Sequence, residues 1–299
     1  MKTVNSLSGG RTSSYIAVHF PADYEVFSLV CIDDPKCAPK DPAIIKFVND
    51  KLSKFTDQYG EFIATAEDDA TIVAMMDLEQ IIGREIIWLR GKSFDTIIDE
   101  GTHTRLPSWS ARYCTQKMKI MPIFDWWFNN IGKMVDMRIG FRFDEFDRMQ
   151  RFFNNSDPTT NRVPVRCSLL GQKRQYHEDF KWRFCSFPLI KHAITEEMVL
   201  DYWKHNGHTP VTLFTPSKKI EFPVVSNCVG CFHKKATTIA TMCNMHPEKM
   251  AWFARQEEKE MGTWYDSGIK YSIIAANSFG YIPEMIQGER GCDSEGCTA

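Results

Sequence analysis

The residues with the clearest chemical potential lie near the start of the chain, in Ser6-Leu7-Ser8-Gly9-Gly10-Arg11-Thr12-Ser13-Ser14. Two adjacent glycines permit a positive φ and let a ligand approach the backbone closely. Ser8, Thr12 and Ser13 bring hydroxyls, with Arg11 among them. Thr3, Val4 and Leu7 read as a short strand before this stretch, and Tyr15 to Val18 as the first turns of a helix after it. Strand, Gly-rich turn and helix together build an anion site, because the unpaired N–H groups of the helix N-terminus point at the turn. An ordinary strand-to-helix turn with Ser as N-cap has the same letters. The pattern is neither GxxxxGK[ST] nor GxGxxG, so neither the P-loop kinase nor the dinucleotide fingerprint applies.

Three further stretches carry chemistry. Asp33-Asp34 closes the apolar run Tyr24–Ile32, where a carboxylate can meet ribose hydroxyls or a metal, or simply start the turn at Pro35. Arg112, Lys117 and Lys119 surround Cys114 and Thr115, and a helix starting near Thr115 would favour a Cys114 thiolate; a buried Cys beside surface lysines is the plainer reading. The predicted strand Met134–Ile139 runs into Gly140-Phe-Arg-Phe-Asp-Glu-Phe-Asp-Arg148. Arg142 and Arg148 are planar forks suited to phosphate, and Asp144 and Glu145 are acceptors or metal ligands, although an exposed charged loop would look similar.

Ten cysteines in a chain of 299 residues need a reason. Cys228-Val-Gly-Cys231 is the two-ligand half of a zinc or iron–sulfur site. The other half is either Cys243 with His246 or Cys292 with Cys297. The tail is the preferred partner, because two terminal cysteines have no other evident reason to be ordered, so the expected set is Cys228, Cys231, Cys292 and Cys297. Cys243 would then belong to the apolar stripe of a helix over residues 236–256.

The N-terminal stretch resembles the SGGxDS pyrophosphate loop of the N-type ATP pyrophosphatases (PP-loop proteins), through Ser8, Gly9, Gly10 and Ser13. That superfamily includes the phosphoadenosine phosphosulfate (PAPS) reductases and relatives that modify nucleic acids with sulfur. Thr12 stands where many members carry an acid. Arg112, Cys114, Thr115 and Lys119 resemble the RxCTxxxK segment of PAPS-reductase-like proteins, and Gly140 to Arg148 their GxRxDExxR motif. Phe187 to Trp203 is similar to their PLIxWxxxDVxxY element, with Lys191 or His192 at the Trp position.

The resemblance implies a nucleotide-binding α/β fold with a doubly wound, mostly parallel sheet. It implies phosphate or sulfate contacts at Arg112 and Lys119, and it favours a 4Fe-4S cluster over zinc. The activity it implies is attack at the α-phosphate of ATP, with Mg²⁺ bridging the phosphates to Asp144 or Asp33. Pyrophosphate would leave, and sulfur would reach a small molecule or a nucleic acid such as tRNA or DNA from a sulfur donor. Reduction of PAPS is the alternative, with Cys292 or Cys297 as nucleophile and a thioredoxin-like partner. The chain lacks both the Cys-Cys pair and the ECGxH segment of the reductases. A protein that binds nucleotide or nucleic acid without turnover is the third expectation, supported by Thr12.

Several elements must position these residues. Besides the runs named above, residues 39–59 read as an amphipathic helix, Ile86–Leu89 as a strand, residues 93–101 as a helix, and Thr195 as the cap of a helix beginning with Glu196 and Glu197. Residues 152–183 are basic with interleaved aromatics, which reads as a solvated excursion or as a nucleic-acid surface. The expected organisation is a nucleotide-binding domain over residues 1–192 and a helical, Cys-rich region over 193–299. The net charge of −2 gives no global polybasic signal. Without an apolar run of about 18 residues or a leader, the expected location is the cytoplasm, away from membranes.

Overall fold

The first strand, β1 (Lys2–Leu7), runs into the Gly-rich turn and then α1 (Arg11–His19). A computed structural model describes residues 1–100, 106–109, 111–155, 157–169, 172–209, 217–224 and 228–278. In chain order there follow β2 (Tyr24–Leu29), β3 (Cys31–Ile32), α2 (Pro42–Phe55), β4 (Ala64–Thr65), α3 (Asp69–Ile82), β5 (Ile86–Arg90) and α4 (Phe94–Asp99). A continuous helical stretch comes next: α5 (Tyr113–Thr115), a π-helical turn (Gln116–Ile120) and α6 (Met121–Asn130). Then come β6 (Val135–Arg138), α7 (Phe146–Asn155), β7 (Thr160–Leu169), β8 (Gln172–Lys181), β9 (Arg183–Ser186), α8 (Pro188–Lys191) and α9 (Glu196–Asn206). The last helices described are α10 (Ala236–Met245), α11 (Pro247–Lys259) and α12 (Tyr271–Ala276).

Five strands form one parallel sheet in the order β5-β2-β1-β6-β9. Both faces of its central strands are covered, so β2 and β5 are buried along almost their whole length. On one face Leu7, Phe27, Leu29 and Trp88 pack with residues of α1, α2, α3 and α9, including Ile16, Leu52, Met75 and Trp203. On the other, Val4, Val26, Leu89 and Met137 pack on Phe124, Trp126 and Trp127 of α6. The α/β expectation holds, and the all-parallel sheet is compatible with double winding. From β1 the chain steps outward through β2 to β5, then returns to the far side of β1 as β6 and β9. The order therefore reverses between β1 and β6, and the crevice beyond their carboxyl ends is where open α/β sheets bind ligands.

A third cluster lies past the carboxyl end of β2. Val30, Ile32, Ala64, Phe94 and Met118 pack there against Ile239, Met242, Trp252, Phe253, Trp264 and Tyr271. The C-terminal helices thus share a core with the segments that leave the sheet.

Two predicted elements are divided. The run Tyr24–Ile32 breaks at Val30, whose carbonyl accepts from Ala66 N at 3.1 Å and Thr65 Oγ1 at 2.8 Å; Cys31–Ile32 then pairs antiparallel with β4. The helix expected over 236–256 breaks at His246 (φ −131°, ψ 58°), because a residue before proline is pushed out of the helical region. Thr195 caps α9 as predicted, accepting from Met198 N at 3.5 Å. Among the described residues no helix is long and apolar enough to cross a membrane.

Candidate functional site

The Gly-rich turn fills the crevice between β1 and β6. Gly9 has φ +81°, and a Cβ there would lie 2.2 Å from Thr71 Cγ2 in the first turn of α3. Ser13 Oγ accepts from Ser8 N at 3.1 Å, donates to the Gly10 carbonyl at 3.1 Å and lies 3.1 Å from Ser8 Oγ. Gly10 is the N-cap of α1 and contributes no side-chain cap. The turn is thereby shaped around a helix N-terminus, which carries partial positive charge.

Gly140, two residues past β6, faces the same turn; a Cβ there would meet Thr12 Cγ2 at 3.6 Å and Ser13 N at 3.7 Å. Arg142 follows, 8% exposed, with Nη1 donating to Thr12 Oγ1 at 3.2 Å. Three carboxylates surround it: Asp144 at 3.4 Å, Glu145 at 3.5 Å and Glu196 at 3.8 Å. Asp144 Oδ1 also accepts from Glu196 N at 3.2 Å. Trp203 Nε1 donates to the Arg11 carbonyl at 2.9 Å, tying α1 to α9. The structure thus brings Ser8–Ser13, Arg142 and Asp144 together.

The remaining sequence candidates fall elsewhere. Arg148 pairs with Glu145 at 2.6 Å and stacks 4.7 Å from the Phe141 ring centre, so it supports the Arg142 turn. Asp33 accepts from the Ser93 hydroxyl, and its N–H donates to Asp95 Oδ2 at 2.7 Å, which ties it to the start of α4. Asp34 caps the turn beginning at Pro35 by accepting from Lys36 N, the turn-initiating role. Arg112 precedes α5 as its N-cap.

Lys119, expected at a phosphate, stands in a second place. Its Nζ is 3.0 Å from Glu67 Oε1, with the Glu67 side chain fully buried. The helix carrying it starts at Tyr113, so Cys114 lies in its first turn as expected, and the π-helical turn after Thr115 re-aims the residues that follow. Cys114, Thr115, Met118 and Lys119 line a pocket with Cys228, Cys231, Phe232, His233, Val30 and Phe94.

The backbone of the CxxC is built into this wall. Glu67 bridges Cys228 in antiparallel fashion, and Val229 N donates to Ala66 O at 2.8 Å. Cys231 N donates to Cys228 O at 3.1 Å, closing the turn. Lys234 Nζ donates to Cys228 O at 2.6 Å and Tyr271 Oη to Gly230 O at 3.0 Å. Gly230 is required here, because a Cβ would lie 2.5 Å from the Phe253 ring. Burial, with Glu67 adding to it, pushes the Cys228 thiol well above its usual range.

Of the two proposed completing halves, His246 turns to Asp68 at 3.3 Å. Cys243 packs beside the third core cluster, where burial pushes its pKa up to about 11. Cys292 and Cys297 lie outside the described residues. Among the described residues no group of three His, Cys, Asp or Glu side chains is arranged to hold an ion.

One short segment separates the two places. Thr71 abuts Gly9, and Glu67, four residues earlier, meets Cys228 and Lys119. Lys249 of α11 pins this segment by donating to the Glu67 carbonyl and to Asp69 Oδ1, the latter at 2.8 Å. Glu67 and Lys249 carried no sequence signal: one closes a short apolar run and the other sits in an amphipathic helix. No protein-family model matches the chain, and no match is found among curated proteins or solved structures.

Proposed function

We propose that this chain is an enzyme of the PAPS-reductase-like, PP-loop type that acts at the α-phosphate of ATP and couples this to sulfur transfer. The observation that carries the reading is the position of the Ser8–Ser13 turn. It occupies the crevice where strand order reverses, at the N-terminus of α1, with Arg142 donating into it.

The backbone N–H groups of the turn bind the departing phosphates, and Arg142 offsets the charge that develops on them. The acceptor oxygen attacks the α-phosphorus. The new O–P bond forms as the bond to the β-phosphate oxygen breaks, and pyrophosphate leaves. The terminal sulfur of a persulfide then attacks the activated carbon, forming C–S and expelling AMP, and a second thiolate attacks the inner sulfur, breaking S–S to leave the sulfur on the acceptor and a disulfide behind. Mg²⁺ suits the oxygen donors of the crevice, the Thr12 hydroxyl and the Asp144 carboxylate, and would neutralise the phosphates.

Cys228 and Cys231 are two of the ligands that a thiophilic centre, iron–sulfur or zinc, would need, and such a centre would supply thiolate or sulfur chemistry beside Cys114. Burial, with Glu67 adding to it, favours the protonated Cys228 thiol, and a bound cation would reverse that preference. The nearness of this pocket to the Ser8–Ser13 turn through Glu67–Thr71 supports one composite site.

The test is product analysis with ATP labelled at the α-phosphate, with and without nucleic acid. AMP or an adenylated product with pyrophosphate is expected, and Arg142→Ala should slow its release roughly 100- to 1,000-fold. ADP with phosphate would overturn the reading. Sulfite from PAPS without pyrophosphate from ATP would move it to sulfonucleotide reduction.

A further inference from the structure

The basic excursion is organised structure. Strands β7 and β8 pair from Thr160↔Lys181 to Leu169↔Gln172, ten residues each, as a two-stranded sheet of their own. The ribbon is inserted between β6 and β9 and joins neither.

Its root is anchored. Trp182 N donates to Thr159 O at 3.1 Å, and the buried Arg183 donates from Nε to Pro158 O at 2.8 Å. Asn161 Oδ1 accepts from Gln116 Nε2 at 2.8 Å. Gln116 stands two residues after Cys114, so the ribbon root is bonded to the helix that lines the thiol pocket.

Charge is concentrated on the ribbon. Arg162, Arg166, Lys173, Arg174 and Lys181 stand against Glu178 and Asp179, in a chain whose net charge is −2. The register spreads the cations along its length: Arg162 is opposite Asp179, Arg166 opposite Gln175, Cys167 opposite Arg174 and Ser168 opposite Lys173. Pro164 lies within β7, and a residue without an N–H weakens an edge for pairing with further strands.

We infer that the β7–β8 ribbon is a docking arm for duplex DNA and enters its major groove. Ten residues at about 3.3 Å each span about 33 Å, close to one turn of B-form DNA at about 34 Å. The B-form major groove, about 12 Å wide, admits a two-stranded ribbon, whereas the A-form groove of duplex RNA is too narrow. The cations along the ribbon supply phosphate contacts and their salt dependence. The inference rests on the proposed reading only in making the bound strand the acceptor; docking itself requires no ATP.

The test measures binding of a labelled duplex of roughly 25 base pairs, about two helical turns, across a salt series. The wild-type chain is compared with a variant carrying Arg162→Gln, Arg166→Gln, Lys173→Gln and Arg174→Gln, and with a second variant carrying Lys173→Arg and the three Arg→Lys replacements. Wild type is expected to bind with a steep salt slope. The Gln variant should lose at least about tenfold in affinity and flatten the slope by up to about 3.6, while the charge-preserving variant retains most of both. Binding of ATP alone, measured alongside by calorimetry, reports the loop reading separately and should not change in either variant. Equal binding by the Gln variant overturns the inference, as does preference for single-stranded RNA over the duplex or absence of binding by wild type.

Discussion

Glu67 and Lys119 meet in a buried ion pair, Oε1 to Nζ 3.0 Å, with side chains 0% and 9% exposed. The same glutamate bridges Cys228 through its backbone. Removing one partner leaves the other charge buried and uncompensated. Lys119→Met should cost about 3–5 kcal/mol of stability in urea unfolding. Adding Glu67→Gln to Lys119→Met should recover much of that loss, because the stranded charge is gone. A loss below about 1 kcal/mol in the single variant would show that the pair does not support the CxxC wall.

Gly9 is restricted twice, by its φ of +81° and by Thr71 Cγ2, which would lie 2.2 Å from an added Cβ. Gly9→Ala should weaken ATP binding at least about tenfold, equivalent to about 1.4 kcal/mol, as read by calorimetry. Thr71→Ser in the same chain removes the clashing methyl but not the left-handed backbone, so it should restore only part of the affinity. Full restoration would mean that the clash alone matters, and unchanged affinity in Gly9→Ala would detach the turn from the nucleotide.

The turn and its sheet were legible because strand, Gly-Gly and helix follow one another with no competing pattern, and β2 and β5 are mostly apolar and buried, with Glu25, Ser28 and Arg90 as buried exceptions. The break at Val30 was not, because Cys31 and Ile32 remain strand-like and only their partner changes. The break at His246 was written in Pro247 but overridden by the apolar stripe running through it. Cys114 and the CxxC were each visible, yet their sharing one pocket depends on a π-helical turn and on Glu67, neither of which leaves a periodic mark. The ribbon was hidden by its charges: Val163, Val165, Cys167 and Leu169 do alternate with Pro164, Arg166 and Ser168, but Pro164 and the flanking cations argued against a strand.

Gly230 and Phe253 form a tight contact beneath the CxxC, with the ring 2.5 Å from any added Cβ. Gly230→Ala should destabilise the protein by about 1–3 kcal/mol through overpacking. Phe253→Leu empties part of that space and destabilises on its own, so the double variant should be more stable than the two losses added together. A double-mutant cycle by urea unfolding measures this. Strict additivity would mean that the turn shifts freely and that Gly230 is not what lets it pack.

Asp157 fastens the ribbon root, accepting from Thr159 Oγ1 at 2.6 Å, Thr159 N at 2.9 Å and Thr160 Oγ1 at 2.7 Å. These bonds, the Thr159 hydroxyl first, lower its pKa from 3.8 to about 2. A depressed carboxylate contributes stability that is complete above its unfolded pKa, near 3.9, and is lost as pH falls through the folded value. The Asp157 carboxyl should therefore titrate near 2 by NMR, with the ribbon root loosening below pH 4. In Asp157→Ala the Thr159 amide should exchange faster at pH 7, and the acid-induced change between pH 4 and 2 should shrink. Titration of Asp157 near 3.9 would show that its hydrogen bonds do not persist in solution, leaving the ribbon root to Trp182, Arg183 and the Asn161–Gln116 bond.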